Sequence, residues 1–169
     1  MKSFLDTSVL VAAFHVEHPH HEPSFDLFVR CQKVDACCGL HSLAEVYGTL
    51  TGMRVASRRA SGDQALLFIG NICERLSIVG LNEQEYFQAL EASAAAGIVG
   101  GAIYDSILGH CALKAGAETI YTWNTKDFLS SRCGELLRRT SHRTGRAGHA
   151  SGSLGRYFRR PGRAGQKSS

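Results

Sequence analysis

Three acids of this 169-residue chain share an unusual setting. Asp6 follows the short apolar run SFL, Glu45 lies inside SLAEVYGTL, and Asp105 lies near the start of GGAIYDSILGHCALKAG. Carboxylates that converge repel one another unless a cation neutralises them, and hard oxygen donors suit Mg²⁺ or Mn²⁺. A cation so held lowers the pKa of a bound water and shields a phosphate's charge. Each acid also has a plainer reading. Asp6 can cap a helix, Glu45 can be a partly exposed helix residue, and Asp105 can cap or face solvent. Spacing alone leaves both readings open.

The elements that position these acids follow from hydrophobic periodicity. Lys2 to Leu5 predicts a short buried strand, so Asp6 stands at its carboxyl end, where sites form in parallel α/β sheets. Val9 to Phe14 predicts a helical turn capped by Thr7 or Ser8. Residues 15 to 23 form a polar loop, followed by a helix over 23–33 and a second strand from Val34 to Leu40. Leu43, Val46, Tyr47 and Leu50 recur at helical spacing over 41–51, with Ser42 a plausible cap and Gly52 at the end. Further helices are expected over 57–75, over 83–96 behind an Asn82 cap, and from Ile103 to Ala115, stopped by Gly116. Strands are expected at 76–81 and 119–122. The alternation predicts an α/β fold with a parallel sheet.

Apolar residues make up 44% of the chain, enough for a core, and charged residues 20%, below the common share of about 25%. The net charge of +4 hides an asymmetry. Residues 138–169 hold nine of the nineteen Lys and Arg residues and none of the fifteen acids, so the preceding body is acidic. A boundary is therefore expected near Leu137, with a folded domain over 1–137 and a basic tail over 138–169. The tail is rich in Gly, Ser, Arg and His, a composition that offsets little ordering entropy, and a disordered or loosely attached segment is expected. The six cysteines form no CxxC pair and several lie in apolar stretches, which reads as reduced thiols packed as small hydrophobes. Asp6 interrupts the apolar start, which makes a poor signal peptide, and no run approaches the roughly 20 apolar residues of a membrane span. A cytoplasmic protein without membrane association is the expectation.

Four stretches together resemble the PIN-domain family, specifically its VapC-type toxin ribonucleases. They are FLDTSVLVAAF at 4–14, HPHH at 18–21, HSLAEVYGTLT at 41–51 and IYDSILGHCALKAGAETIYTWNTKDF at 103–128. The resemblance implies a three-layer α/β/α sandwich and cleavage of single-stranded RNA dependent on Mg²⁺ or Mn²⁺, leaving a 5′-phosphate and a 3′-hydroxyl. It implies an antitoxin partner and a homodimer. Asp6, Glu45 and Asp105 match the family's first three acids. The fourth acid belongs in TWNTKDF, where Asn124 offers a neutral oxygen and Asp127 a carboxylate three residues on, or else a surface residue. Thr122 matches a hydroxyl position that braces Asp6, and Ser8 is placed to do the same. The family's fifth strand has no convincing counterpart after Phe128.

Other polar clusters are weighed separately. His15, His18, His20 and His21 lack the spacing and partners of a tetrahedral zinc site, and a solvated loop near the RNA path fits them better. His41 and His110 read as packed histidines. Trp123 and Tyr104 flank the site motifs and either stack on a base or pack. Arg54, Arg58 and Arg59 contact phosphate or form a solvated helix end. The tail binds RNA nonspecifically through counterion release or reflects an altered reading frame. Two rivals to the toxin ribonuclease are a housekeeping RNA-processing nuclease and a degenerate domain that binds RNA or a partner without cutting.

Overall fold

Phe4 and Leu5 are neighbours in the strand β1 (Ser3–Leu5) and both are fully buried, yet they serve different cores. Successive strand side chains point to opposite faces, so a strand with both faces apolar must be covered twice. Cys37 and Cys38 of β2 (Ala36–Gly39) divide between the cores in the same way. The computed structural model describes residues 2–52, 59–124 and 155–157.

One core is built by α1 (Thr7–Phe14), α2 (His21–Arg30), α3 (Leu40–Gly52) and α4 (Gly62–Arg75), with Leu10, Phe28, Leu50 and Ile72 among its buried side chains. On the other face, α6 (Ala102–Lys114) lays Leu108, Cys111 and Ala112 against Phe4, Cys37 and Ile120. The helix α5 (Glu83–Ala95) packs on α6. The result is the expected α/β/α sandwich.

The strands β3 (Ser77–Val79) and β4 (Thr119–Thr122) complete a parallel set in the order β3-β2-β1-β4. The register pairs Phe4 with Cys37 on one side and with Ile120 on the other. The chain leaves β1 toward β2 and later returns to β1's other side as β4. Order reverses beside β1, and such a switch point opens a crevice at the carboxyl edge. Asp6 is the residue that β1 delivers there.

Several expectations shift at their ends. The helix expected over 23–33 begins at His21 and ends at Arg30, so part of the expected polar loop is helical. The helix expected from 57 begins at Gly62, where Ser61 and Gln64 form a reciprocal capping box. Asn82 caps α5 as expected, with Glu85 completing its box. Gly116, at φ +65°, ends α6 in the left-handed region that glycine tolerates. One strand lies where the sequence pattern shows none. Gly155–Tyr157 forms β5, antiparallel to β4, with Ile120 opposite Tyr157. A three-residue strand without alternating β-branched residues gives no periodic signal, which is why the sequence pattern shows no fifth strand. The remainder of 138–169 lies outside the described residues.

Candidate active site

Asp6 occupies the N-cap position of α1, with extended backbone at φ −72° and ψ 158°, and its own N–H donates to Tyr121 O at 3.0 Å. Its side chain does not cap the helix. Nor do Thr7 and Ser8, contrary to the sequence expectation: their hydroxyls are turned to carboxylates. Ser8 Oγ and Thr122 Oγ1 each donate to Asp6 Oδ2 at 2.7 Å. A hydroxyl has a single proton, so both are spent on this one oxygen. Their lone pairs accept in turn, Ser8 Oγ from Trp123 N at 3.0 Å and Thr122 Oγ1 from Asn124 N at 3.0 Å. The end of β4 is thereby stitched to the first turn of α1. Asp6 is 3% exposed, so the stitching fixes its carboxylate in one orientation.

Glu45 reaches the same edge from α3, where Val46 and Leu50 are buried and hold the helix against the core. Thr7 Oγ1 donates to Glu45 Oε2 at 2.7 Å. Sequence reasoning takes Thr7 for a cap and misses this role, because nothing local announces a bond across 38 positions. Asp105 stands in the first turn of α6. That helix comes close to the sheet because Gly39 ends β2: a Cβ there would lie 2.5 Å from Leu108 Cδ2. The roll of α6 is further fixed by Ser106, the residue after Asp105. Ser93 Oγ donates to Ala89 O at 2.7 Å, so in the buried 2.7 Å pair of Ser93 and Ser106 the Ser106 hydroxyl is the donor.

Asp6, Glu45 and Asp105 line one cavity of about 310 Å³. Hydroxyl residues Thr7, Ser8 and Thr49 and the side chains of His18, Trp123 and Asn124 line it too. The donor chemistry fits a hard divalent cation: three carboxylates and an amide oxygen, with no thiolate among them. Both strong hydroxyl donors fall on Oδ2 of Asp6, and among the described residues Oδ1 accepts no hydrogen bond. Among the described residues, however, no three His, Cys, Asp or Glu groups close on a single point. The acids stand around the rim of the cavity rather than in a finished cage. Asn124 belongs to that rim; Asp127 lies outside the described residues.

The polar loop after α1 also folds onto the site. The His20 and Trp123 rings stack with centroids 3.7 Å apart at 8°. Trp123 is anchored by its indole N–H, which donates to Ser24 Oγ at 2.8 Å. His18 Nδ1 accepts the backbone N–H of His20 at 3.1 Å. Burial, and then the neighbouring His20, His15 and His21, lower the pKa of His18. His110 is likewise lowered by burial. Tyr104 is exposed and stacks on His41 at 5.0 Å and 10°.

Arg59 is exposed, whereas Arg54 and Arg58 lie outside the described residues. Burial raises the thiol pKa of Cys31, Cys37 and Cys111 to about 11 and that of Cys38 further still. These thiols stay protonated and pack as apolar groups, as expected. A larger depression, about 660 Å³, runs along α5 beside Tyr86 and Phe87 and holds none of the three site acids. No helix among the described residues is long and apolar enough to cross a membrane.

A four-stranded parallel sheet between helical layers, with acids at its carboxyl edge beside the switch point, defines an α/β domain with an acidic candidate centre. The PIN domain family model matches residues 3–130, and the chain belongs to that family. The fold is shared with the crystal structure of VapC20 from Mycobacterium tuberculosis, described as a Sarcin-Ricin loop cleaving toxin. The TM-score is 0.62 at 16% identity, over 76% of this chain and 95% of that one. It is shared too with VapBC2 from Rickettsia felis, solved bound to a DNA fragment from the promoter, with a TM-score of 0.53 at 18% identity over 79% and 95% of the two chains. At such identities the likeness concerns the fold. No curated protein sequence matches the chain.

Proposed function

We propose that this protein is a divalent-metal-dependent endoribonuclease that cuts single-stranded RNA, acting as the toxin of a toxin–antitoxin pair. The observation that carries the reading is the gathering of Asp6, Glu45 and Asp105 around one cavity at the carboxyl edge of the sheet. Membership of the PIN family supports a nuclease. The fold shared with a VapC toxin and with a VapBC complex supports the toxin role and an antitoxin partner.

Asp6, Glu45 and Asp105 would hold Mg²⁺ or Mn²⁺, with Asn124, and Asp127 beyond the described residues, as further donors. Once bound, the cation supplies charge shielding and an acidified water. The chain's own residues do the rest. Ser8 and Thr122 keep Asp6 in one rotamer, and Thr7 keeps Glu45 turned toward the cavity. Glu45 or Asp105 takes the proton of the attacking water. The water oxygen bonds to phosphorus, the bond from phosphorus to the 3′ oxygen breaks, and the departing 3′ oxygen takes a proton from solvent, leaving a 5′-phosphate and a 3′-hydroxyl.

Incubating the purified protein with single-stranded RNA, with Mg²⁺ or Mn²⁺ and then with excess chelator, tests this reading. Metal-dependent cleavage that is lost in Asp6→Asn supports it. Cleavage unaffected by both chelator and Asp6→Asn would overturn it. Co-purification with the product of an adjacent gene encoding a small DNA-binding protein tests the toxin role. A homodimer and a cytoplasmic location belong to the same proposal.

A further inference from the structure

An RNA phosphodiester brought to this cavity is an anion approaching three carboxylates, so it needs hydrogen-bond donors besides any cation. Several donors at the site are already used. The hydroxyls of Thr7 and Ser8 are spent on Glu45 and Asp6, and the Trp123 indole N–H on Ser24. His18 differs. Its Nδ1 accepts the His20 backbone N–H, which in the neutral imidazole places the proton on Nε2. Among the described residues Nε2 has no hydrogen-bond partner, and the half-buried ring lines the cavity rather than the core.

We propose that His18 is a substrate-binding residue whose Nε2–H donates to a non-bridging oxygen of the RNA phosphate held over Asp6, Glu45 and Asp105. The inference rests on the ribonuclease reading of that cavity. A donor in the neutral form suits this place. Burial and the three neighbouring histidines disfavour the imidazolium, so the ring donates without having to be charged. The alternatives explain less. Among the described residues the histidines join no group able to hold a metal. Simple packing does not account for a ring that lines the cavity rather than the core.

The loop is built to hold the ring there. His20 stacks on Trp123, which is tied to Ser8 through its backbone and to Ser24 through its indole. His21 Nδ1 meets Ala12 O at 3.1 Å and fastens the far end of the loop to α1. His20 and Trp123 are therefore positioning residues for His18.

Two isosteres separate the roles of the two ring nitrogens. In His18→Asn the side-chain oxygen can still accept the His20 N–H, but no donor remains at the Nε2 position. In His18→Gln the amide N–H reaches that position and the loop bond is lost. Binding is measured by fluorescence anisotropy with a random-sequence single-stranded RNA pool in a Glu45→Gln background, so that substrate survives, and KM and kcat are measured in the otherwise unaltered chain. The expected result is an affinity loss and a KM increase of roughly threefold to tenfold for His18→Asn, with His18→Gln within about twofold of its parent. The reverse order, or two variants that both match their parents, would overturn the proposal and leave His18 a loop anchor at most. Melting temperatures of both variants show whether the loop bond matters to folding. Undiminished cleavage by Glu45→Gln would sink the ribonuclease reading of the cavity and the His18 role with it. Loss of cleavage in Glu45→Gln together with the reversed isostere order would sink only the latter.

Discussion

Thr7 Oγ1 donates a 2.7 Å hydrogen bond to Glu45 Oε2, joining the first turn of α1 to the middle of α3. Thr7 follows Asp6 in the chain, so one peptide segment supplies an acid and orients a second from another helix. A partner that fixes a ligand's orientation typically contributes about tenfold to a hundredfold in metal affinity or activity. Thr7→Val should therefore raise the half-saturating Mn²⁺ concentration for RNA cleavage by about tenfold, with Thr7→Ser close to the parent. Equal metal titrations for Val and Ser would show that the bond does not serve the site. A shifted melting temperature with an unshifted metal titration would show it to be structural.

The three acids differ in what their loss does to the fold. Asp6 accepts the only protons of Ser8 and of the fully buried Thr122. Asp6→Ala strands both hydroxyls and should cost about 1–3 kcal/mol in chemical denaturation. Asp6→Asn keeps an oxygen acceptor while removing the charge, so it should melt near the parent. Glu45→Ala and Asp105→Ala relieve carboxylate repulsion, and Glu45→Ala strands only the half-buried Thr7 hydroxyl, so Glu45→Ala should lower the melting point less than Asp6→Ala. All four should lose cleavage by on the order of a hundredfold or more. If single replacements of all three acids cut RNA at the parent rate, the site has been placed wrongly.

Asn124 stands on the rim where a fourth charge would fit. Its backbone N–H is engaged with Thr122 Oγ1, which fixes the main chain and leaves the side chain as the variable part. Asn124→Asp adds a negative charge beside a cation and should tighten Mn²⁺ binding by about fivefold, as one extra Coulomb pair of about 1 kcal/mol in a wet site would give. Isothermal titration with Mn²⁺ checks this. An unchanged dissociation constant, with cleavage lost instead in Asp127→Ala, would move the fourth donor to Asp127.

Much of this arrangement is legible in the sequence. Four strands and six helices announce themselves through periodicity and caps, because packing faces repeat at fixed intervals. Asp6, Glu45 and Asp105 are visible as carboxylates in apolar stretches. What stays hidden depends on the approach of distant segments. Thr7 and Ser8 look like caps in sequence, and only the arrival of α3 and β4 turns their hydroxyls to Glu45 and Asp6. The His20–Trp123 stack joins a loop that reads as solvated to the end of the last parallel strand. Gly39 gives no sign that α6 comes so near. The strand β5 is too short to leave a pattern.

Gly39→Ala tests how the third acid is placed. The added methyl would sit 2.5 Å from Leu108 Cδ2, with Phe4 Cζ at 3.6 Å, inside a close-packed core. Overpacking of this kind costs about 1–3 kcal/mol. Moving α6 away from the sheet also moves Asp105. Denaturant unfolding should show the stability loss, and cleavage should fall further than the small unfolded fraction explains. A fully stable Gly39→Ala would mean that α6 accommodates the methyl without cost.

The tail offers a test in which charge and structure can be separated. The sequence marks 138–169 as a basic appendage, yet Gly155–Tyr157 pairs with β4 and covers its outer edge. An uncovered edge strand exposes backbone groups and invites association. Two truncations divide the effects. Ending the chain after Tyr157 keeps β5 and removes Arg159, Arg160, Arg163 and Lys167. Ending it after Leu137 removes β5 as well. The shorter cut should leave the melting temperature unchanged while weakening nonspecific RNA binding, with the salt slope falling by about 0.7 for each phosphate that is no longer neutralised. The longer cut should add a lower melting temperature and concentration-dependent association through the bared β4 edge. Equal melting temperatures for the two truncations would show that β5 contributes nothing to the domain. An unchanged salt slope in both would show that the tail's charges do not touch RNA.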